Sequence, residues 1–208
     1  MRLLLVLLAA TMITLSASSA KAFDIDFGLG YSKLQIDGSS DDAKALDGSD
    51  GPAFDISFKF TSIIPGLRWG FGVQGSYFRD EYHVTNSDGD SDKRFRDLTL
   101  IIPEFRVGYH VPIGPIFIEP SMGAALVMGE FRTGYVDSHH GNEFDDSDHE
   151  EFEVNVALTP RLQAGIEGHF WAAGLEVSWM NSHLDFGDGV GGDISTFYGG
   201  AFFRISFF

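Results

Sequence analysis

The chain ends in S-T-F-Y-G-G-A-F-F-R-I-S-F-F, residues 195–208, and alternate letters of this stretch fall into two rows. Successive side chains of a β-strand point to opposite faces, so we predict a strand here whose two faces differ. One row carries Arg204, and the other is apolar: Phe197, Gly199, Ala201, Phe203, Ile205 and Phe207. Such a strand fits a soluble sandwich with the apolar row turned inward, or a membrane barrel with that row facing lipid.

The same two-row pattern recurs along the chain and predicts eight strands in all. The other seven runs lie at residues 23–32, 54–61, 68–77, 99–111, 116–129, 152–167 and 171–179. The connections between them alternate between long polar loops and short turns, as in an antiparallel meander that has all its loops at one end. The runs are 8 to 16 residues long, so each covers, or falls one residue short of, the ~9 to 11 residues that a tilted transmembrane strand needs. We therefore predict an all-β fold, an eight-stranded antiparallel up-and-down transmembrane β-barrel.

The polar rows decide between the barrel and the sandwich. They combine acidic and basic residues with many glycines, which suits a narrow lumen better than an exposed sheet face. An eight-stranded barrel is only wide enough for side chains to fill it, and buried charges are tolerated there when they are paired. We expect either a salt-bridged plug or a narrow cation-preferring pore, built from Asp55, Lys59, Arg68, Glu104, Arg106, Glu119, Arg161, Glu167, Glu176 and Arg204.

A few residues break the alternation. Leu100 and Ile102 are apolar but fall on a polar row, which predicts a bulge or an apolar plug near that end of the strand. Pro103, Pro120 and Pro160 lie inside predicted strands. Because proline cannot donate to a ladder, we expect bulges or strand ends at these positions.

The first 22 residues are typical of a cleaved secretory signal peptide. They contain Arg2, an apolar run, and Ala20-Lys21-Ala22 as a small-x-small cleavage site. We therefore predict a signal peptide at 1–22 and the barrel domain at 23–208. The chain has no cysteine and a formal net charge of −16. It thus offers no disulfide or thiolate site, and nucleic acid is disfavoured as a partner.

With these rows and loops, the region 23–208 resembles the small eight-stranded outer-membrane barrels of Gram-negative bacteria, the group of the OmpA transmembrane domain, OmpX and OmpW. The resemblance is one of architecture and alternation. It implies a location in the outer membrane, contact with lipid and lipopolysaccharide, and insertion by the outer-membrane assembly machinery. In that family an aromatic C-terminal residue in register with the lipid-facing row serves as the assembly signal. The matching residues are Phe203, Ile205 and Phe207, with Phe208 one place beyond the row.

The long loops carry most of the acidic charge, and the segment 136–151 is the most acidic. Such loops could bind divalent cations that bridge to lipopolysaccharide phosphates, although charge runs of this kind are more often simply solvated. A zinc or nickel site is a further hypothesis, because imidazole and carboxylate groups can bind these metals. Its candidate ligands are His139, His140 and His149. We expect no other cofactor.

Three functions remain open for such a barrel, and the sequence favours the first. The first is a non-enzymatic structural or surface-interaction role with a plugged lumen and acidic extracellular loops, whose ligand the sequence does not indicate. The alternative is a narrow channel for small or apolar solutes, with a gate made by Leu100, Ile102, Phe117 and Phe202. The second alternative is a lipid A modifying hydrolase, which needs a serine, a histidine and a carboxylate in reach of each other, as at Ser182, His183 and Asp185.

Overall fold

The computed structural model describes residues 23–38, 45–85, 91–136, 143–145, 151–185 and 191–207. Eight long strands within these ranges build a wall: β1 (Phe23–Asp37), β2 (Asp50–Thr61), β3 (Leu67–Thr85), β4 (Ser91–Tyr109), β6 (Ile116–Val136), β8 (Glu151–Glu167), β9 (Trp171–Asp185) and β10 (Gly191–Phe207). Two strands of three residues, β5 (Val111–Ile113) and β7 (Glu143–Asp145), pair with β6. Within the described ranges, no helix has the length and hydropathy of a membrane-spanning helix.

The wall closes on itself as an antiparallel meander. Each wall strand pairs with the wall strands before and after it, and β1 pairs with β10 from Phe23 opposite Phe207 to Asp37 opposite Asp193. The prediction of an eight-stranded up-and-down barrel is therefore confirmed. The short connections lie at the same end as Phe23 and Phe207, which we call the turn end. The long connections lie at the opposite end, the loop end.

Apolar side chains point outward from the wall and polar side chains point inward, the reverse of a soluble protein. Leu29 and Leu175 are 74% and 69% exposed, whereas Asp26 and Arg204 are 0% and 1% exposed. An outward apolar band is stable against lipid, and the sheet closes because its first wall strand pairs with its last. The two-row pattern in the sequence thus corresponds to the two faces of the wall.

The strands extend further toward the loop end than the sequence pattern predicted. The segments 79–97 and 181–193, predicted as loops, are largely strand, because β3, β4, β9 and β10 run into them. Polar contacts join the extended strands: Lys93 Nζ lies 2.5 Å from Glu81 Oε2 across the β3–β4 pair. Charged residues stand on both faces of these extensions, so no apolar row marks them in the sequence.

The prolines leave the strand register unchanged. The predicted bulges at Pro103 and Pro120 are wrong, because the pairs on either side of each proline keep the same offset. A proline removes one donor, and a ladder continues wherever that donor is not needed. Each proline nevertheless adjoins a gap or an end of one ladder. The β4–β6 pairing skips Ile102 and Pro103 and stops at Ser121, next to Pro120. The pairing of β8 with β9 begins only at Arg161, next to Pro160.

Candidate functional site

Charged and amide side chains fill the interior at the turn end, and we call this region the charged zone. All eight wall strands contribute, and all members are buried except Arg68, which is partly buried. Glycine makes room for them: a side-chain carbon at Gly72 would lie 2.7 Å from the Arg106 guanidinium. The members are Asp24, Asp26, Asp55, Lys59, Arg68, Gln74, Glu104, Arg106, Glu119, Arg161, Gln163, Glu176 and Arg204.

One cluster of the charged zone surrounds Glu119. Lys59 Nζ donates to Glu119 Oε1 at 2.6 Å, and Arg204 Nη1 donates to Oε2 at 2.9 Å. Arg68 Nη1 lies 3.2 Å from the same Oε2. Lys59 and Arg204 also contact Asp26, at 2.8 and 2.7 Å. Glu119 therefore contacts three cations from different strands, and two of these cations also contact Asp26.

A second cluster is built on Arg106 and Arg161. Arg106 Nη1 donates to Asp55 Oδ2 at 2.9 Å, and its Nε donates to Glu104 Oε1 at 2.5 Å. Arg161 Nη2 donates to the same Glu104 oxygen at 2.8 Å, and its Nη1 donates to Glu176. The planar fork of a guanidinium can bind two carboxylates at once, and each arginine here does so.

Gln163 joins the two clusters. Its Nε2 donates to Asp26 Oδ2 at 3.1 Å and to Glu176, while its Oε1 accepts from Lys59 at 2.6 Å and from Arg204 at 2.8 Å. The hydrogen bonds therefore run continuously across the lumen. Beside Lys59 the network leaves a cavity of about 10 Å³, which has room for about one water molecule.

His110 lies at the turn end of the network, between two carboxylates. Its Nδ1 is 3.2 Å from Glu119 Oε2, and its Nε2 is 3.1 Å from Glu167 Oε2. The ring of Phe117 packs beside the imidazole, with 5.0 Å between the ring centroids. This group extends the polar network to the turn-end mouth.

The lumen residues predicted from the sequence all lie on inward rows. All except Glu167 belong to the two clusters, and Glu167 contacts His110 instead. Sequence reasoning did not single out Asp26, Gln74 or His110. Their place on the inward rows was the available signal, but a row does not tell which of its polar residues meet across the lumen.

Toward the loop end most of the inward side chains are apolar, and we call this region the apolar zone. Almost all of the side chains in this zone come from the wall strands. The exception among the members named below is Leu46, which lies in a helical turn between β1 and β2. The Gly48 N–H donates to the Leu34 carbonyl and the Leu34 N–H donates to the Ser49 carbonyl, both at 2.9 Å, which holds this turn against β1. The zone consists of Leu34, Leu46, Phe78, Leu98, Leu100, Ile102, Ala125, Val127, Phe131, Ala157, Met180, Leu184 and Ile194.

The predicted irregularity at Leu100 and Ile102 belongs to the apolar zone. The β3–β4 register is unbroken there, so no bulge forms and the apolar plug is the outcome. Phe117 and Phe202 belong to a separate apolar cluster, beside the Arg204 guanidinium at the turn end. The four residues predicted as one gate are thus divided between the two ends of the barrel.

The candidate catalytic residues do not come together. Ser182 points inward and is 8% exposed, whereas His183 points outward with its Nδ1 2.9 Å from Asp193 Oδ1. Neighbouring residues of a strand face opposite sides of the sheet, so these two side chains cannot form a hydrogen-bonded pair. The side chain of Asp185 lies outside the described part of the structure.

Several predictions concern residues outside the described ranges. These are the signal peptide at 1–22, Phe208, and the candidate metal ligands His139, His140 and His149. Among the residues that the structure describes, no group of three or more His, Cys, Asp or Glu side chains could hold a metal ion. The remaining residues of the predicted assembly signal, Phe203, Ile205 and Phe207, point outward and are 46%, 37% and 41% exposed.

Only a lipid environment stabilises an outward apolar surface of this extent, and closed barrels with this polarity are the β-structures that span membranes. The protein is therefore an outer-membrane β-barrel of the small, eight-stranded class. In such barrels the short turns are periplasmic and the long loops are extracellular. The charged zone accordingly fills the periplasmic half of the lumen, and the apolar zone fills the extracellular half.

Solved barrels of this kind are similar to the chain. Neisserial surface protein A (NspA) superposes with a TM-score of 0.52 at 14% identity, over 89% of this chain and 99% of its own. Ail, the attachment invasion locus protein of Yersinia pestis, has a TM-score of 0.43 at 17% identity, over 88% and 98%. The outer membrane protease OmpT from Escherichia coli has a TM-score of 0.49 at 9% identity, over 90% and 97%. At these identities the likeness concerns the fold. No protein-family model matches the chain, and no curated protein sequence matches it.

Proposed function

We propose that the protein is a closed, non-enzymatic outer-membrane barrel that acts through its extracellular surface. The observation that carries this proposal is that side chains fill both halves of the lumen: the charged zone fills the periplasmic half and the apolar zone fills the extracellular half. Contacts cross the lumen between distant strands, as in the hydrogen bonds of Arg161 to Glu104 and of Lys59 to Gln163. Buried ion pairs of this kind stay in place because opening them would leave charges unpaired.

A non-enzymatic role is supported by the positions of the candidate catalytic groups. Ser182 lies inside the barrel and His183 lies outside it. Nucleophilic catalysis needs a serine and its base within hydrogen-bonding distance, which this arrangement prevents. The extracellular loops are therefore the part of the molecule that remains for an interaction.

The acidic loops suggest how the protein interacts with the outer leaflet. The segment 137–150 contains Asp145, Asp146 and Asp148 among other acidic residues. Carboxylates are the ligands that Ca²⁺ prefers. A divalent cation bound there would bridge the loop to phosphate groups of lipopolysaccharide, and it would offset the repulsion between two negative surfaces.

Solute permeation tests the closed lumen. Liposomes that contain the purified, folded protein are expected not to swell in an isotonic arabinose solution, as for liposomes without protein. Swelling at a rate that rises with protein content would contradict the proposal.

Calcium binding tests the role of the loops. Calorimetric titration of the folded barrel with Ca²⁺ is expected to give saturable binding that weakens when Asp145, Asp146 and Asp148 are changed to Asn. Equal binding by the two proteins would remove the divalent-cation role. A lumen variant, Gln74→Glu, serves as a control, because its added carboxylate would not face the extracellular solution.

We also propose that Phe203, Ile205, Phe207 and Phe208 act as the assembly signal and that residues 1–22 are removed during export. The outward position of the first three residues supports this, because the assembly machinery can reach an outward row on an edge strand before the barrel closes. Deletion of residues 207–208 is expected to reduce the heat-modifiable, folded form in outer membranes. Phe197→Ala, an outward aromatic on the same strand, should leave that form unchanged; an equal loss in both variants would contradict a specific signal.

A further inference from the structure

The ladder between β4 and β6 is interrupted at the periplasmic mouth of the barrel, beside Pro120. Its pairs stop at Gly108 and resume, with the same offset, at Val111 of β5. In the gap between them, His110 lies opposite Glu119, and the two residues form no backbone pair with each other. A proline in a strand removes one donor of a ladder, which accounts for the gap. Side chains therefore join the two strands at this point.

The imidazole of His110 bridges this gap, and both of its nitrogens face carboxylate oxygens. Nδ1 lies 3.2 Å from Glu119 Oε2 on β6, and Nε2 lies 3.1 Å from Glu167 Oε2 at the end of β8. A neutral imidazole has a single N–H and donates to only one of two such acceptors, whereas the protonated ring donates to both. The geometry therefore fits a protonated His110 that joins β6 to β8.

The charges around His110 balance when its imidazole is protonated. Within the described part of the chain, the ion pairs that start from His110 connect it to three other cations and four carboxylates: Lys59, Arg68, Arg204, Asp24, Asp26, Glu119 and Glu167. A fourth positive charge, on His110, makes this group neutral. The neighbouring cluster of Arg106 and Arg161 pairs two cations with three carboxylates, so it adds no net positive charge against His110.

The two carboxylates that flank His110 differ in how much they depend on it. Burial opposes a charge on the imidazole, which is 9% exposed, and the carboxylates offset that cost. Glu119 Oε2 is also contacted by Arg68 and Arg204, at 3.2 and 2.9 Å. Glu167 has no other ion pair within the described structure, and its side chain is 26% exposed. The contact to Glu167 is therefore the one that opens when His110 loses its charge.

The segment 110–115 is fixed at the mouth by this bridge and by two backbone hydrogen bonds. The Glu167 N–H donates to the Pro115 carbonyl at 2.9 Å, which joins the segment to β8. The His110 N–H donates to the Gly66 carbonyl at 2.7 Å, which joins it to the turn between β2 and β3. When the imidazole bridge opens, the segment keeps fewer contacts with its neighbours, so these two backbone bonds break more often.

We propose that His110 is a proton-dependent clamp of the periplasmic mouth. The protonated imidazole binds Glu119 and Glu167 together and holds the segment 110–115 against β8. The neutral imidazole donates to one carboxylate only, so Glu167 turns toward periplasmic water and the segment loosens. An imidazole ordinarily changes charge between about pH 5 and 8, so the stabilisation is present in acid and is lost as the pH rises. The clamp lies at the opposite end of the barrel from the loops and does not depend on the extracellular role proposed above.

Amide hydrogen exchange of the folded barrel in detergent micelles tests the clamp. The probes are the amides of residues 110 and 167, and the variant is His110→Gln, which cannot be protonated. At about pH 5.5 the protection factors of the unmodified protein are expected to be several-fold higher than those of the variant, and at about pH 8 the two should agree. A protection factor is a ratio to the exchange of an unstructured chain, so the pH dependence of exchange itself cancels. Equal protection in both proteins at acid pH, or a difference that does not change with pH, would overturn the proposal.

His183 provides the matched control for this measurement. It is a second histidine beside a carboxylate, with its Nδ1 2.9 Å from Asp193 Oδ1, but it lies at the extracellular end and its side chain is 61% exposed. His183→Gln is expected to leave the protection of the two probe amides unchanged at both pH values. An effect equal to that of His110→Gln would overturn the clamp, because protonation would then act on the barrel as a whole.

A double-mutant cycle tests the contact between His110 and Glu167 itself. The effects of His110→Gln and Glu167→Gln on the unfolding equilibrium in urea are measured singly and together. At about pH 5.5 each single variant is expected to lower the equilibrium constant for folding several-fold, and the double variant to lower it by less than the product of the two, because both substitutions break the same bridge. At about pH 8 this coupling should disappear. Independent effects of the two substitutions at acid pH would overturn the bridge.

Discussion

The periplasmic and extracellular halves of the lumen are lined by the same alternating rows of the same eight strands, yet they are filled in different ways. In the periplasmic half the contacts are charged hydrogen bonds, such as Arg204 Nε to Asp26 Oδ1 at 2.7 Å. In the extracellular half they are apolar contacts among residues such as Leu100 and Val127. Charge pairs need fixed geometry and a partner for each charge, whereas apolar packing accepts changes that conserve volume. The charged zone therefore depends on specific side chains, whereas the apolar zone tolerates substitutions that keep the same volume.

The largest effect is expected when one partner of the charged zone is removed. Arg204→Met leaves Asp26 and Glu119 with fewer cations in a buried site, so the free energy of unfolding should fall by about 3–5 kcal/mol. Urea titration of the folded barrel in detergent micelles measures the change. The control, Arg94→Met, removes an exposed cation and should change stability by no more than about 0.5 kcal/mol. Similar effects of the two substitutions would show that the charged zone is not a tightly paired network.

Conservative substitutions sharpen the contrast between the two zones. Arg106→Lys keeps the charge but loses the fork that binds Asp55 and Glu104, and should cost about 2 kcal/mol, near the value of one charged hydrogen bond. Leu100→Met keeps volume in the apolar zone and should cost less than about 1.5 kcal/mol. Both changes are read from denaturant titrations. A larger loss of stability from Leu100→Met than from Arg106→Lys would contradict the claim that the charged zone is the less tolerant of the two.

The smallest effect is expected outside the lumen, at the extended β3–β4 ladder. The hydrogen bond from the Lys93 ammonium lowers the pKa of the Glu81 carboxyl below its ordinary value. Because the folded pKa is the lower one, the stabilisation is present above the unfolded pKa and is lost as the pH falls below about 4. The pair is exposed and screened by solvent, so its contribution should stay under about 1 kcal/mol.

Glu81→Gln checks this pH dependence. The substitution should lower stability slightly at neutral pH and have no effect in strong acid, where the Glu81 carboxyl is itself protonated. Denaturant titrations of both proteins across this pH range measure the difference. A stability difference that does not change with pH would contradict the ion pair.

Much of the fold could be predicted from the sequence because a strand pattern has a period of two. The rows around Phe203 and Arg204 indicate which side chains face lipid and which face the lumen, and eight such runs predict the number of strands. The strand ends at the loop end could not be predicted, because residues such as Glu81 and Lys93 place charges where an apolar row would otherwise mark a strand.

The pairing inside the lumen could be predicted only in part. The rows identify inward charges, but the partners depend on how the strands are offset around the barrel. Gln163 and Asp26, for example, come from strands far apart in sequence and meet across the lumen. The position of Leu46 had no signal either, since it lies in a segment whose acidic residues predicted a solvated loop.

Single-channel conductance of the purified, folded protein in a planar bilayer, at two salt concentrations, tests the closed lumen most directly. The paired charges of the periplasmic half and the apolar packing of the extracellular half both oppose the passage of ions, so we predict a folded barrel without channel openings. Circular dichroism and heat-modifiable migration establish that the inserted protein is folded. Steady openings with a preference for cations would contradict the closed barrel and would make the acidic side chains of the lumen a pathway.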